Sequence, residues 1–252
     1  LAVKLADLYN IIPNQLTRPI VNALPASLPG PFNAILRNLH KLAKSAYLPF
    51  ESRYLGYGTY FTDEEKQKLY SKDLRKATEK FNAYEQHHFY FERVKKEHWV
   101  NQMLYIDTKL FLPCLNLAYT DKTSMASSLE VRVPFLDHEL VELTARIPAQ
   151  LKLRGFTRKY ILKRALKSVL PSSIINRKKA GFSAPLRAWL RRDFAELIAE
   201  LLSPKRLEER GYFDPVEVKR VIDANNQGRE DNSLKILQLL TFELWYQKFI
   251  ES

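Results

Sequence analysis

Apolar residues recur at helical spacing along most of the chain. Residues 1–60 read as short helices punctuated by Pro13, Pro19, Pro25, Pro29, Pro31 and Pro49. The stretch NALPASLPGPFNAIL is a connector, and helix resumes near Phe32. Thr62 followed by Glu65 forms a capping box and predicts a polar helix to about Leu69. Residues 75–112 read as one or two long helices, with Trp99, Met103, Ile106 and Leu110 on one face and Pro113 ending the run. A short helix follows over 116–128. LEVRVPFL is the only strand-like run, and Pro134 within it argues against a central strand. Asp137 caps a helix over 138–146, and Thr157 caps another over 158–169, stopped by Pro171. Residues 185–202 are amphipathic. Asp214-Pro215 opens a helix to about Gln227. The last helix, 231–250, offers Leu234, Leu237, Leu240, Phe242, Leu244, Trp245 and Phe249 as core candidates. No internal repeat or low-complexity tract is present, and the pattern is all-α or nearly so.

Composition narrows the classes. With 252 residues, 46% of them hydrophobic, the chain can offset the ordering entropy that keeps polar chains disordered. The length allows one or two domains. Seven glycines leave few places for a phosphate-cradling loop. Cys114 is the sole cysteine, which excludes an intramolecular disulfide, and no Cys/His metal spacing occurs. His87 and His88 are adjacent and face different ways, so no metal site is expected. Reducing, cytoplasmic surroundings are the natural reading. Apolar stretches break well short of the ~20 residues a membrane span needs, and no cationic leader precedes an apolar segment. The chain starts without Met, which is compatible with processing or with a piece of something longer.

Forty Lys and Arg against 28 Asp and Glu give a net charge of +12. Such a surface attracts anions: nucleic acid, anionic lipid or nucleotide polyphosphates. The charge is spread, with acids interleaved in several places, and no zinc-finger, RNP or KH signature occurs. Three segments could carry chemistry. In TRKYILKRALK, Lys159, Lys163 and Lys167 fall at i, i+4 and i+8; like charges so spaced cost roughly 0.2–0.5 kcal/mol per pair, which a bound anion would offset, or the stripe is a solvated helix face. In NRKKAGFSAP, Gly181 after three cations lets the backbone approach a ligand, or the segment is a surface loop held by Phe182. In DKTSMASSLEVRVPFLD, Asp121, Lys122 and Ser124 precede Glu130 and Arg132, which share a face in an extended run and suit either a site wall or a structural ion pair. GxxxxGK[ST], GxGxxG, Ser-Gly-Gly-x-Asp-Ser, HExxH, GxSxG and CxxC runs are all missing from these residues.

Taken together, SMASSLEVRVPFLD (124–137), TRKYILKRAL (157–166) and NRKKAGFSAPLRAWL (176–190) resemble, in order and spacing, the C-terminal synthetase domain of glutamine-dependent asparagine synthetases. The tail GYFDPVEVKRVIDANNQGREDNSLKILQLLTFELWYQKF (211–249) resembles that family too. The resemblance runs over roughly residues 100–252. It divides the chain into a variable helical region, 1–110, and a C-terminal asparagine-synthetase-like helical region, 111–252. The implied fold is mainly α as given. It is the C-terminal helical part of an α/β adenine-nucleotide alpha-hydrolase-like (ATP pyrophosphatase) synthetase domain, whose parallel sheet and phosphate loop lie mostly upstream.

The resemblance implies a ligase that activates aspartate with ATP and Mg²⁺, then passes β-aspartyl-AMP to glutamine-derived ammonia. The missing partners would be an N-terminal glutaminase and the phosphate-loop region, so this chain by itself is expected to be inactive and to expose helix faces meant for burial. Matched by position, Lys159 takes the place of the family's lysine facing the α-phosphate, and Lys179 that of the basic residue near pyrophosphate, with Lys178 where proline is usual. Asp121, Ser124, Glu130 and Arg132 match the pattern framing the aspartyl and nucleotide cleft, with Glu130–Arg132 holding its wall. No metal ligand is assigned within this chain. Some relatives have acids directly after the match to Leu112-Pro113. Here Cys114, Leu115 and Asn116 follow, which leaves the acceptor open. Relatives acting in β-lactam, peptide-cyclising and surface-polysaccharide pathways supply the alternative. A basic helical nucleic-acid binder is a rival from another class, which the motifs weigh against. A homodimer is compatible with the sequence; a membrane is not expected.

Overall fold

The computed structural model describes residues 45–178 and 185–251. The short helices expected before residue 45, Lys179 and the Gly181-Phe182-Ser183 segment lie outside the described residues. In chain order the helices are α1 (Phe50–Gly58), α2 (Asp63–Leu69), α3 (Lys72–Thr78), α4 (Glu85–Val94) and α5 (Trp99–Ile106). A π-helix (Asp107–Leu117) and α6 (Ala118–Met125) continue from α5. Then come α7 (His138–Arg146), α8 (Ala149–Lys152), strands β1 (Leu153–Arg154) and β2 (Thr157–Arg158), α9 (Tyr160–Ala165) and α10 (Ser172–Ile175). The chain closes with α11 (Leu186–Arg191), α12 (Ala195–Leu201), α13 (Pro204–Arg210), α14 (Pro215–Asn226) and α15 (Ser233–Phe249). The described chain is mainly helical, as expected.

Among the described residues, one compact unit comprises 45–55 and 83–178, and a second comprises 56–82 and 185–251. The second has the larger core. Leu69, Leu190, Ile198, Leu201, Leu207, Val218, Val221, Ile236, Leu239 and Leu240 are buried together. Two of its helices start on the caps that the sequence predicts. Thr62 Oγ1 accepts from the Glu65 N–H (3.2 Å), and a Glu65 carboxylate oxygen accepts from the Thr62 N–H (2.9 Å). Asp214 Oδ1 accepts from the N–H groups of Val216 (2.8 Å) and Glu217 (3.3 Å), with Pro215 at the first helical position. The other Glu65 oxygen pairs with Lys235 of α15 at 2.6 Å, so one carboxylate closes a cap and ties two helices.

The core face of α15 differs from the expected one. Ser233, Ile236, Leu239, Leu240 and Glu243 are buried, whereas Leu234, Leu237, Leu244, Trp245 and Phe249 are exposed. Apolar residues run almost all round this helix, so their spacing does not select a face. A buried carboxylate helps decide it. Glu243, 3% exposed, accepts from Arg210 (2.8 and 3.1 Å), Arg206 (3.2 Å) and Gln247 (3.1 Å). The Arg210 guanidinium also lies 4.4 Å from the Tyr246 ring centroid and pairs with Glu251.

The first unit holds a smaller core, with Ala46, Phe91, Val100, Ile106 and Ala149 buried. Rings fill it. Phe91 meets Tyr54 and Phe50 edge-on at centroid distances of 5.5 and 6.1 Å. The Tyr54 hydroxyl donates to Asp107, the first residue of the π-helix. Burial, reinforced by that carboxylate, pushes the phenol well above the usual tyrosine range.

Pro113 does not end the helix as expected; it lies inside the π-helix, and the chain runs on into α6. The wider π turn relieves the clash between a proline ring and the carbonyl four residues back, and it absorbs the missing donor. LEVRVPFL forms no strand over 129–133; the only sheet among the described residues is the β1–β2 hairpin. Without a partner strand, Leu129, Val131 and Val133 stay exposed. Phe111, Leu115, Phe135, Phe156 and Val169 are exposed too, so the first unit carries extensive exposed apolar surface. Among the described residues no helix is long and apolar enough to cross a membrane.

Glu243→Gln is expected to destabilise the second unit by about 3 kcal/mol, because breaking a buried pair strands its partners; urea unfolding followed by hydrogen exchange over α13–α15 checks this. Burial pushes the Glu243 carboxyl up, but the hydrogen bonds from Arg210, Gln247 and Arg206 and the Arg210 charge together outweigh it and hold the group below the ordinary glutamate value of 4.5. A group so depressed contributes stability that is fully present above that value. Wild-type stability is therefore expected to fall as pH drops below about 4.5, the range in which a carboxyl binds its proton, and the Glu243→Gln protein to lose less over the same range.

Candidate functional site

Five of the six sequence-derived site residues fall in the first unit: Asp121 and Ser124 on α6, Glu130 and Arg132 on the irregular run after it, and Lys159 between β2 and α9. Lys179 lies outside the described residues.

The segment around Ser124 is set by how α6 ends. The Leu129 N–H donates to the Ser124 carbonyl (3.0 Å) and the Ser128 N–H to the Met125 carbonyl (2.9 Å). This is the Schellman pair of bonds, which demands a left-handed residue between helix and exit. Glycine usually fills that place, but Ser128 does so here, at φ 56°. Ser124 Oγ donates back to the Asp121 carbonyl at 3.1 Å. Beyond the exit, the Glu130 carboxylate meets Arg132 Nε at 2.8 Å. Their side chains are 67% and 86% exposed, so the pair contributes at most about 1 kcal/mol to stability.

Lys159 is placed by a hairpin. Leu153 pairs with Arg158 and Arg154 with Thr157, leaving Gly155-Phe156 as a two-residue loop. Gly155 takes φ 56°, which such a loop asks of its first residue. Thr157 is therefore a strand residue and not the expected cap, because the ladder claims it first. Helix α9 begins at Tyr160 and ends at Ala165, shorter than the 158–169 read from the pattern. Lys159 precedes it at φ 55°, ψ 38°, again left-handed without being glycine. Such backbone costs roughly 1–2 kcal/mol. Ser128 and Lys159 are the only non-glycine residues with positive φ among the described residues. The short helix also breaks the lysine stripe: Lys163 is in the last turn of α9 and Lys167 lies past its end.

A charge signal went unread in the motifs. Residues 143–192 contain no Asp or Glu but hold fourteen of the forty cations; the remainder has 26 cations and 28 acids. The whole net positive charge therefore lies in this tract. Arg158, Lys159, Lys163, Arg164, Lys167, Arg177 and Lys178 have no ion-pair or hydrogen-bond partner through their side chains among the described residues. Such a field is suited to anions of high charge density. Nearby, burial lowers the Lys152 ammonium below the usual lysine range, with Glu97 opposing, and its Nζ donates to Asn101 at 2.9 Å. A cavity of about 320 Å³ opens beside the hairpin, lined by His98, Trp99, Gln150, Arg154 and Gly155 among others. No hydrogen bond or ion pair joins Lys159 to Asp121, Ser124, Glu130 or Arg132. No group of three or more His, Cys, Asp or Glu among the described residues is placed to hold a metal.

Comparison with known proteins decides the family. The asparagine synthase family model matches residues 18–247. The chain belongs to the asparagine synthase family. It is 30% identical over 203 residues to the protein named asparagine synthetase [glutamine-hydrolyzing] 1 of Bacillus subtilis, covering 81% of this chain and 31% of that protein. It is 37% identical over 153 residues to a putative asparagine synthetase [glutamine-hydrolyzing] of Mycobacterium bovis, covering 60% of this chain and 23% of that protein. It is 28% identical over 164 residues to amidase chry2 of Gibberella zeae, covering 62% and 24%. The chain thus spans about a third or less of the length of these relatives. No solved structure matches it.

Ser128→Gly is expected to stabilise the end of α6 by about 0.5–1 kcal/mol, since glycine adopts the left-handed exit without the steric cost, less its greater freedom when unfolded. Slower amide exchange over residues 124–130 is the measure.

Proposed function

We propose that this chain supplies part of the synthetase site of an enzyme that makes asparagine. In the reaction, an aspartate β-carboxylate oxygen bonds to the α-phosphorus of ATP as the bond to pyrophosphate breaks, giving β-aspartyl-AMP. Ammonia released from glutamine then bonds to the acyl carbon as the bond to AMP breaks, and asparagine leaves after loss of a proton. The observation that carries this reading is Lys159: an exposed, unpaired cation on strained backbone, within an acid-free tract and within a motif of the family.

A fixed ammonium there lowers the energy of charge building on the phosphorus oxygens and on departing pyrophosphate, and it does so without reorganising when the bond breaks. The unpaired cations of the tract, with Lys179, suit the polyphosphate. Asp121, Ser124, Glu130 and Arg132 frame the aspartyl and nucleotide side. In this reading the parallel sheet, phosphate loop and glutaminase belong to other parts of the whole protein. The Mg²⁺ that accompanies ATP finds no ligand set among the described residues and would be held there too.

A second reading keeps the adenylation chemistry and changes the carboxylate or amine. The likeness to a protein named an amidase favours weighing it, as does the uncharged Cys114-Leu115-Asn116 after Pro113. Aspartate-dependent release of pyrophosphate from ATP separates the two, because the second reading requires another carboxylate.

In the whole protein, Lys159→Ala is expected to lower asparagine synthesis at least a hundredfold, the scale of a lost transition-state donor, while glutamine hydrolysis continues. Synthesis at the wild-type rate in this variant would remove Lys159 from the chemistry.

A further inference from the structure

We infer that Arg154 is a positioning residue for Lys159, acting through Tyr160; this rests on the reading of Lys159 given above. Arg154 leaves β1 at the mouth of the hairpin, opposite Thr157. Its Nη1 donates to the Tyr160 hydroxyl at 2.5 Å, and its guanidinium carbon lies 5.1 Å from the same ring's centroid. Tyr160 is the first residue of α9. Arg154 and Tyr160 therefore close the chain between them into a ring of seven residues, with Lys159 inside it.

Within that ring almost every dihedral is already committed. The ladder fixes the chain through Arg158, and helical geometry fixes it from Tyr160 onward, with the Lys163 N–H donating to the Lys159 carbonyl at 3.0 Å. The remaining freedom is the φ and ψ of Lys159. These two angles set the direction of α9 relative to the hairpin and the direction in which the lysine side chain leaves the backbone. The Arg154–Tyr160 contact spans the same joint from outside and so selects the left-handed setting, which a lysine alone disfavours. Lys159 is the only residue of the joint that needs to be strained, and Arg154 is the side chain placed to hold it so.

Two measurements on the whole protein test this. The first is amide exchange over residues 160–166. Lys159→Gly removes the strain and is expected to lower the local opening constant by up to about fivefold with Arg154 intact. With Arg154→Gln the lysine can relax by itself, so the same substitution has a smaller effect. No hydrogen bond or ion pair joins residues 154 and 159, so equal effects in both backgrounds would overturn the inference. The second is aspartate-dependent pyrophosphate release. Arg154→Gln and Tyr160→Leu are each expected to lower kcat roughly two- to fivefold, the factor an exposed cation–π contact corresponds to, with KM for ATP unchanged. The double variant is expected to be no worse than either single one, and Arg154→Lys to restore part of the rate. A fall in thermal midpoint with kcat unchanged, or additive losses, would overturn the inference. Lack of aspartate-dependent release by the wild-type protein would instead sink the proposed function, and the exchange measurement would still decide whether Arg154 holds the joint.

Discussion

The candidate site depends on one joint of the backbone, the left-handed residue between a two-residue ladder and a two-turn helix. Neither element is stable by itself. A hairpin of this length and a helix of six residues both fall below what holds together in water. Each gains its geometry from the other, and Lys159 is where they are welded. Had the joint taken an ordinary right-handed or extended setting, α9 would leave the hairpin in another direction and the cations on it would face elsewhere. Ser128 plays the corresponding part at the other motif. It ends α6 sharply, and the Glu130–Arg132 run follows outside any helix. The two non-glycine residues that accept this cost among the described residues sit in two of the motifs that resemble the family. Strain of this kind persists where the surroundings over-determine it, which is common where function fixes the geometry.

The two units rest on different physics. The second is a helical core of ordinary composition, finished by a carboxylate that is buried and multiply hydrogen-bonded. A pair of this kind contributes little net stability against an apolar replacement, but it penalises any packing that leaves Glu243 without its arginines. That makes it a device for choosing a face of α15, a helix whose apolar residues choose none. The first unit has few buried side chains and much exposed apolar surface, interleaved with cations that have no partner. Single exposed apolar residues need no explanation; so many on one unit do. They accord with a chain that spans a third or less of its relatives' length.

What was legible in the sequence follows from how local the cause is. Thr62 with Glu65, Asp137, and Asp214 with Pro215 act on N–H groups two or three residues away, and all three caps stand where the residues put them. The misreadings have causes that are not local in this sense. Thr157 is a good cap residue, but the ladder with Arg154 outcompetes it. Pro113 breaks an α-helix but not a π-helix, and nothing in its neighbours announces the change of turn. LEVRVPFL alternates like a strand, and a strand needs a second strand. For α15 the apolar residues were visible and the buried Glu243 was not, because its partners lie more than thirty residues back on α13. Of the site, residue types and motif order were readable, whereas the left-handed settings of Ser128 and Lys159 were not, since neither residue type favours them.

The charge distribution points further than the net charge did. A surplus of +12 spread evenly over a helical surface would suit any polyanion, nucleic acid included, and composition alone cannot choose among them. Gathered into fifty residues without one acid, and with the remainder of the chain slightly negative, it becomes a local field. A duplex or single strand would be tracked by cations along an extended path, often with aromatic side chains offered for stacking. Here five of the seven unpartnered cations, Arg158, Lys159, Lys163, Arg164 and Lys167, fall on or next to one hairpin and one short helix, and Tyr160 among them is engaged by Arg154. Compact polyphosphate matches that footprint better than a polymer does. Among those cations the strained lysine is the one whose direction the fold goes to some cost to fix.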